Sequence, residues 1–333
     1  MSGPSYTALL PATVTSLGSQ WQAGNHQSTH FRRQLRSPGK YAGMVQLLWY
    51  NPAMKTHYID TADGAAVPLY WLHQAPARAT LLLQPALGIQ ARLYHRLAQG
   101  LAERGIATAL VEQRGHGLSS LRPGYRSNYS FRETLDCDIP AVAQWLQQTL
   151  PGVPRYIGGH SLGGHLSTIY TGMHPNAFQG VVHLACAFPY AGDYRGRTRH
   201  MLRLLTALIP LFHVAPGYYP GQLLGFGERE SLAMMMQWRQ WALSGQFDFS
   251  ERRGLADAVA RFRGEVLSLS FARDPFSTDA AVDRALSPFT GARIQRATLD
   301  TDEQGEFLGH TAWAKQPEGV VRRISEWLDS QPR

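Results

Sequence analysis

The stretch YIGGHSLGGH, residues 156 to 165, runs from two apolar residues into Ser161 with a pair of glycines on either side. Glycine tolerates positive φ and close backbone approach, so the run reads at minimum as a tight strand-to-helix turn. Its inner residues, Gly159-His160-Ser161-Leu162-Gly163, also fit the nucleophile elbow G-x-S-x-G. In that device a strand ends, the chain turns sharply through the serine, and a helix begins at once. Small residues two before and two after the serine keep the neighbouring chain from colliding with the turn.

The flanking sequence supplies the strands and helices such a turn requires. Asp63-Gly64 predicts a hairpin between two short strands, and ATLLLQ at 79 to 84 is an apolar run suited to a buried parallel strand. RLYHRLAQGLAERG follows with Leu93, Leu97 and Leu101 at helical spacing, ended by Gly105. IATALVE then predicts a strand, FRETLDCDIPAVAQWLQQTL a helix or a kinked pair around Pro140, RYIGG a third strand, and the segment after Ser161 a helix. Strand alternating with helix means a mostly parallel α/β sheet with right-handed crossovers.

After GVVHLACA at 180 to 187 the rhythm stops, and EVLSLSFARD resumes it at 265 to 274. The interval, about 189 to 263, reads as a helical insertion in the same domain. Leu232, Met235, Met236 and Leu243 lie on one side of its helix, and Met234, Trp238 and Trp241 on another. Apolar residues on both sides predict a hydrophobic lid, buried against the body and over a site. A short helix around Ala280 to Leu286, the strand ARIQRATLD at 292 to 300, a loop holding His310 and the helix GVVRRISEWL close the chain.

Bulk properties narrow the function classes. A chain of 333 residues buries a substantial core unaided, and its two cysteines, Cys137 and Cys186, are too few for a disulfide framework. They read as reduced core residues of a cytoplasmic protein; no signal peptide or membrane span is expected. Of the net charge of +8, four charges come from Arg32, Arg33, Arg36 and Lys40, in residues 1 to 53, which contain no Asp or Glu. Elsewhere Arg alternates with acidic residues, and no basic helix face or RNA-binding signature points to nucleic acid. Residues 1 to 53 are expected to be a poorly ordered extension, through an upstream start codon or, alternatively, as an organelle-targeting peptide; residues 54 to 333 form the domain.

A serine hydroxyl needs a base within hydrogen-bond reach, and the base needs a group that fixes its tautomer. With a nucleophile elbow the chain order is serine, acid, histidine. His310 is the only histidine after the late strands, in a loop that can reach the carboxyl edge of the sheet. Asp274, at the end of VLSLSFA and followed by Pro275, is the expected acid; Asp300, Asp302 and Glu303 compete with it. Two backbone donors must face the developing oxyanion. The Leu162 N–H is one, and the loop QPALGIQ offers Ala86 first and Leu87 second, since Pro85 has no N–H.

From about Met54 to its end the chain resembles the α/β-hydrolase superfamily. GIQARLYHRLAQGLAERGIATALVEQRGHGLSS and GYYPGQLLGFGERE are similar to predicted bacterial hydrolases related to serine aminopeptidases. The resemblance implies Ser161 as nucleophile, Asp274 as acid and His310 as base. Members usually have aspartate where Glu112 stands and a glycine or small residue where Pro85 stands.

The expected activity is hydrolysis of a carboxylic ester or related acyl bond in an apolar small-molecule substrate, through an acyl-enzyme. No cofactor or metal is expected, since neither a G-x-x-x-x-G-K loop nor a ligand cluster occurs. An aminopeptidase-like amide hydrolase or an acyltransferase would use the same triad, and a non-catalytic binding protein could share the fold. An aminopeptidase needs acids for the substrate amine; Glu228 and Glu230 are available, although a solvated helix start accounts for them.

Overall fold

A computed structural model describes residues 54–331; the expected extension, 1 to 53, lies outside them. Eight strands form one sheet in the order β1-β2-β4-β3-β5-β6-β9-β10. β1 (Lys55–Asp60) and β2 (Ala66–Leu72) pair antiparallel across the Asp63-Gly64 hairpin, and β2 is antiparallel to β4 (Ile106–Val111). β3 (Ala79–Gln84), β4, β5 (Arg155–His160), β6 (Gly180–Leu184), β9 (Glu265–Phe271) and β10 (Arg293–Leu299) run parallel. Burial explains the sequence pattern: β3 and β4 are buried at every position, as a strand covered on both faces must be.

α1 (His95–Ala102) buries Leu97 and Leu101, and α2 (Ile139–Thr149) buries Val142 and Leu146. The expected kink at Pro140 is a widened π-turn over Thr134–Asp138, closed by the Ile139 N–H on the Thr134 carbonyl. Proline cannot donate to a preceding carbonyl and its ring crowds that turn, so the backbone opens just before it. Arg114 then ties this turn to the hairpin, bonding Asp138 at 2.6 Å and Asp63 at 2.6 Å.

α3 (Leu162–Met173) follows β5 and is buried along almost its whole length. β6 stops at Leu184 rather than at Ala187, because Ala185 takes a positive φ of 46° and turns the chain out of the sheet. Between β6 and β9 lie α4 (Gly196–Leu208), the two-residue strands β7 (Tyr219–Pro220) and β8 (Arg229–Glu230), α5 (Leu232–Ser244) and α6 (Leu255–Val259). On α5 the two expected apolar sides merge into one broad arc holding Leu232, Met234, Met235, Trp238, Trp241 and Ala242. Leu243 falls just past its edge and is exposed, contrary to its expected place beside Met235. α7 (Asp279–Leu286) and α8 (Glu318–Asp329) complete the body, α8 burying Val320, Ile324 and Trp327.

Candidate active site

Ser161 sits between β5 and α3 with φ 52° and ψ −115°, a conformation that costs a non-glycine residue of order 1–3 kcal/mol. The surrounding glycines explain how the turn closes. A Cβ on Gly159 would lie 2.2 Å from the Gly163 carbonyl carbon, and one on Gly163 would lie 2.3 Å from the Gln84 carbonyl oxygen at the end of β3. Backbone therefore packs on backbone, which draws the end of β3 and the loop after it against the serine turn.

The histidine loop arrives from the other side. His310 Nδ1 lies 2.8 Å from Asp274 Oδ2, and the Asp274 carboxylate is fully buried. Its Oδ1 accepts the Phe276 N–H at 2.9 Å, and Oδ2 also accepts the Ser277 hydroxyl at 2.6 Å. The carboxylate is thus fixed independently of the histidine. Two of the three competing acids are used elsewhere: Asp300 caps a short helix by accepting the Asp302 and Glu303 N–H groups, and Glu303 pairs with Arg323. Ser161 and His310 line one cavity, together with Leu87, Leu162, His165, Ala187, Pro189, Tyr194 and Phe276. Its remaining walls are Leu202 of α4, Phe226 of the loop between β7 and β8, and Trp238 of α5, all from the insertion.

Leu162, the first residue of α3, has a backbone N–H with no acceptor inside the helix. Ala86 differs from expectation. Its N–H donates to the Tyr94 hydroxyl at 3.1 Å, so it is already occupied, whereas Leu87, the second choice, lines the cavity. The Tyr94 hydroxyl lies 2.8 Å from His160 Nδ1, and burial raises the phenol well above its ordinary value. It stays neutral, accepting from Ala86 and sharing a hydrogen bond with His160, whose ring packs 4.8 Å from that of His310. Sequence reading missed Tyr94 and His160; a polar pair inside apolar runs was the only available signal. Glu112 accepts the Ala91 N–H at 2.9 Å and anchors the same loop.

Neither Glu228 nor Glu230 marks a solvated helix start. Glu230 is 1% exposed, its carboxylate 3.2 Å from His116 Nε2, and it accepts the Glu228 N–H. The Glu228 carboxylate meets the Gln90 amide at 3.3 Å. Among the described residues no acidic side chain lines the cavity. Among the described residues no group of three or more His, Cys, Asp or Glu is arranged to hold a metal ion, and no helix is long and apolar enough to cross a membrane.

Residues 75–246 match the family model of serine aminopeptidase, S33, over about half of the chain. The chain belongs to this family. Among its curated relatives, the S33 chain is 26% identical over 132 residues to monoglyceride lipase of Rattus norvegicus, covering 39% of this chain and 43% of the lipase. It is 33% identical over 111 residues to an uncharacterized abhydrolase domain-containing protein of Dictyostelium discoideum, covering 33% of this chain and 11% of that protein. It thus spans less than half the length of these relatives. Solved structures share the α/β-hydrolase fold. A thermostable carboxyl esterase from Bacillus coagulans aligns with TM-score 0.60 at 12% identity, covering 83% of this chain and 98% of the esterase. Est1E from Butyrivibrio proteoclasticus, bound to ferulic acid, aligns with TM-score 0.56 at 17% identity, covering 83% and 98%.

The serine turn of this S33 chain rests on neutral histidines. Burial lowers His165 on α3 to about 4 and His183 on β6 to about 3. His165 Nε2 donates to the Ala187 carbonyl at 3.1 Å and His183 Nε2 lies 2.7 Å from the Thr168 hydroxyl. Both values fall below the unfolded 6.5, so this stability is present above pH 6.5 and is lost as pH falls toward 4 and 3. At pH 5 each ring should cost about 2 kcal/mol. His116, raised by Glu230, acts oppositely, its contribution being lost as pH rises. Thermal unfolding should therefore occur at a clearly lower temperature at pH 5 than at pH 7; equal midpoints would contradict this assignment.

Proposed function

We propose that the protein is a serine hydrolase of carboxylic esters, with Ser161 as nucleophile, His310 as general base and Asp274 as its orienting acid. The observation that carries this reading is the cavity shared by Ser161 and His310, with Asp274 bonded to the far nitrogen of the ring. His310 accepts the serine proton as Oγ attacks the acyl carbon, then gives it to the leaving alcohol. Water activated by the same ring releases the acyl group. Asp274 holds Nδ1 protonated, leaving Nε2 free to accept, and stabilises the imidazolium. The Leu162 and Leu87 N–H groups are the proposed donors to the oxyanion, with Leu87 taking the place first given to Ala86.

The insertion acts as a lid whose Leu202, Phe226 and Trp238 receive an apolar acyl or alkyl group. With Glu230 committed to His116 and Glu228 to Gln90, no carboxylate among the described residues faces the cavity to pair with a substrate ammonium. A screen of chromogenic acyl esters beside aminoacyl anilides tests the choice. Ester cleavage is expected to exceed anilide cleavage by a factor of about 100 or more in kcat/KM, given the cost of an unpaired ammonium in an apolar site. Anilide cleavage without ester cleavage would reverse the reading.

A further inference from the structure

Among the described residues ten large hydrophobic side chains stand exposed, and six of them belong to the segment between β6 and β9. Four are leucines or valine on or just after α4 and β7: Leu204, Leu211, Val214 and Leu223, from 60% to 86% exposed. Along α4 and the 3-10 turn after it, the exposed positions Arg197, His200, Leu204, Ala207, Leu211 and Val214 recur at intervals of three and four, which makes one stripe. The other side of α4 is buried through Leu202 and Leu205, Leu202 reaching the cavity. α4 therefore lines the site inward through Leu202 and presents Leu204 to solvent outward, and the turn after it extends that outward face with Leu211 and Val214.

The charge of this segment is equally one-sided. Residues 194–227 contain Arg195, Arg197, Arg199 and Arg203, with no lysine, aspartate or glutamate. Residues 54–333 hold 28 basic and 24 acidic side chains, so these four arginines equal the entire excess of that region. Asp193, the acid nearest in sequence, is bonded to Arg284. None of the four arginines forms an ion pair among the described residues.

Apolar side chains and uncompensated cations on one face restrict the partner. A symmetric pairing of two copies would set the same arginines against each other, and a nucleic acid offers nothing to the leucines. An anionic bilayer surface accepts both, with headgroups for the guanidinium groups and the acyl boundary for the side chains. We propose that the α4 face docks the protein on an anionic lipid surface, with Leu204, Leu211 and Val214 entering the acyl boundary and Arg197 and Arg203 among the headgroups. Docking is a binding event and holds whether or not the ester reading does.

Sedimentation of the full-length chain with phosphatidylcholine vesicles, with and without phosphatidylglycerol, tests the proposal. The wild type should co-sediment with the anionic vesicles, and less so as salt rises. Leu211→Ser with Val214→Ser should lower that binding by about tenfold or more. Because both positions are exposed, the unfolding temperature and the rate on a water-soluble ester should not change. Arg197→Gln with Arg203→Gln should lower binding to the anionic vesicles several-fold, by about that factor only where phosphatidylglycerol is present. A wild type left in the supernatant would overturn the proposal, as would a serine double variant that binds like the wild type. A wild-type dimer abolished by the serine substitutions would overturn it too, assigning the face to a second copy.

Discussion

Ser161→Ala is expected to lower kcat on an activated ester by about 10⁴-fold or more, with little change in KM. The substitution deletes the attacking oxygen while leaving the cavity wall and the Leu162 N–H in place. What survives is the acceleration that binding and oxyanion stabilisation give an unassisted water. Stability should change little, since alanine meets φ 52° no worse than serine and the turn closes through Gly159 and Gly163. Steady-state kinetics beside a thermal melt check both halves. A drop in kcat smaller than tenfold in a folded variant would remove Ser161 from the chemistry.

Asp274→Asn should cost about 10³- to 10⁴-fold in kcat through a tautomer rather than through a lost contact. The Phe276 N–H donates to Oδ1, so an asparagine must keep its carbonyl oxygen there. Its amide nitrogen then takes the Oδ2 position, 2.8 Å from His310 Nδ1 in the wild type, and donates to that nitrogen. The ring proton moves to Nε2, where a general base must be bare. Asp300→Asn serves as the contrast: asparagine caps a helix as well as aspartate does, so kcat should stay within about twofold. Equal losses in the two variants would show that Asp274 acts only on stability.

The parts of this molecule legible in sequence were those set by periodicity and glycine. β3 and β4 are mostly apolar because both faces are covered, and the elbow announces itself because Gly158, Gly159 and Gly163 admit backbone that no Cβ would allow. The order of Ser161, Asp274 and His310 along the chain could be read before their proximity was known. Other features depend on a distant partner. Whether the Ala86 N–H is free is decided by a phenol eight residues on, which in turn is held by His160. Glu230 reads as a surface acid until His116, more than a hundred residues earlier, is found against it in the interior. Ala185 gives no local warning that it will take a positive φ and end β6 early.

The account rests on a hydroxyl made nucleophilic by an adjacent imidazole, and covalent labelling by a fluorophosphonate reads that property without knowledge of the substrate. After reaction and proteolysis, mass spectrometry should find the adduct on Ser161 in the wild type and no adduct in Ser161→Ala. Labelling that persists in the alanine variant, or an adduct located on any other residue of the wild type, would contradict it.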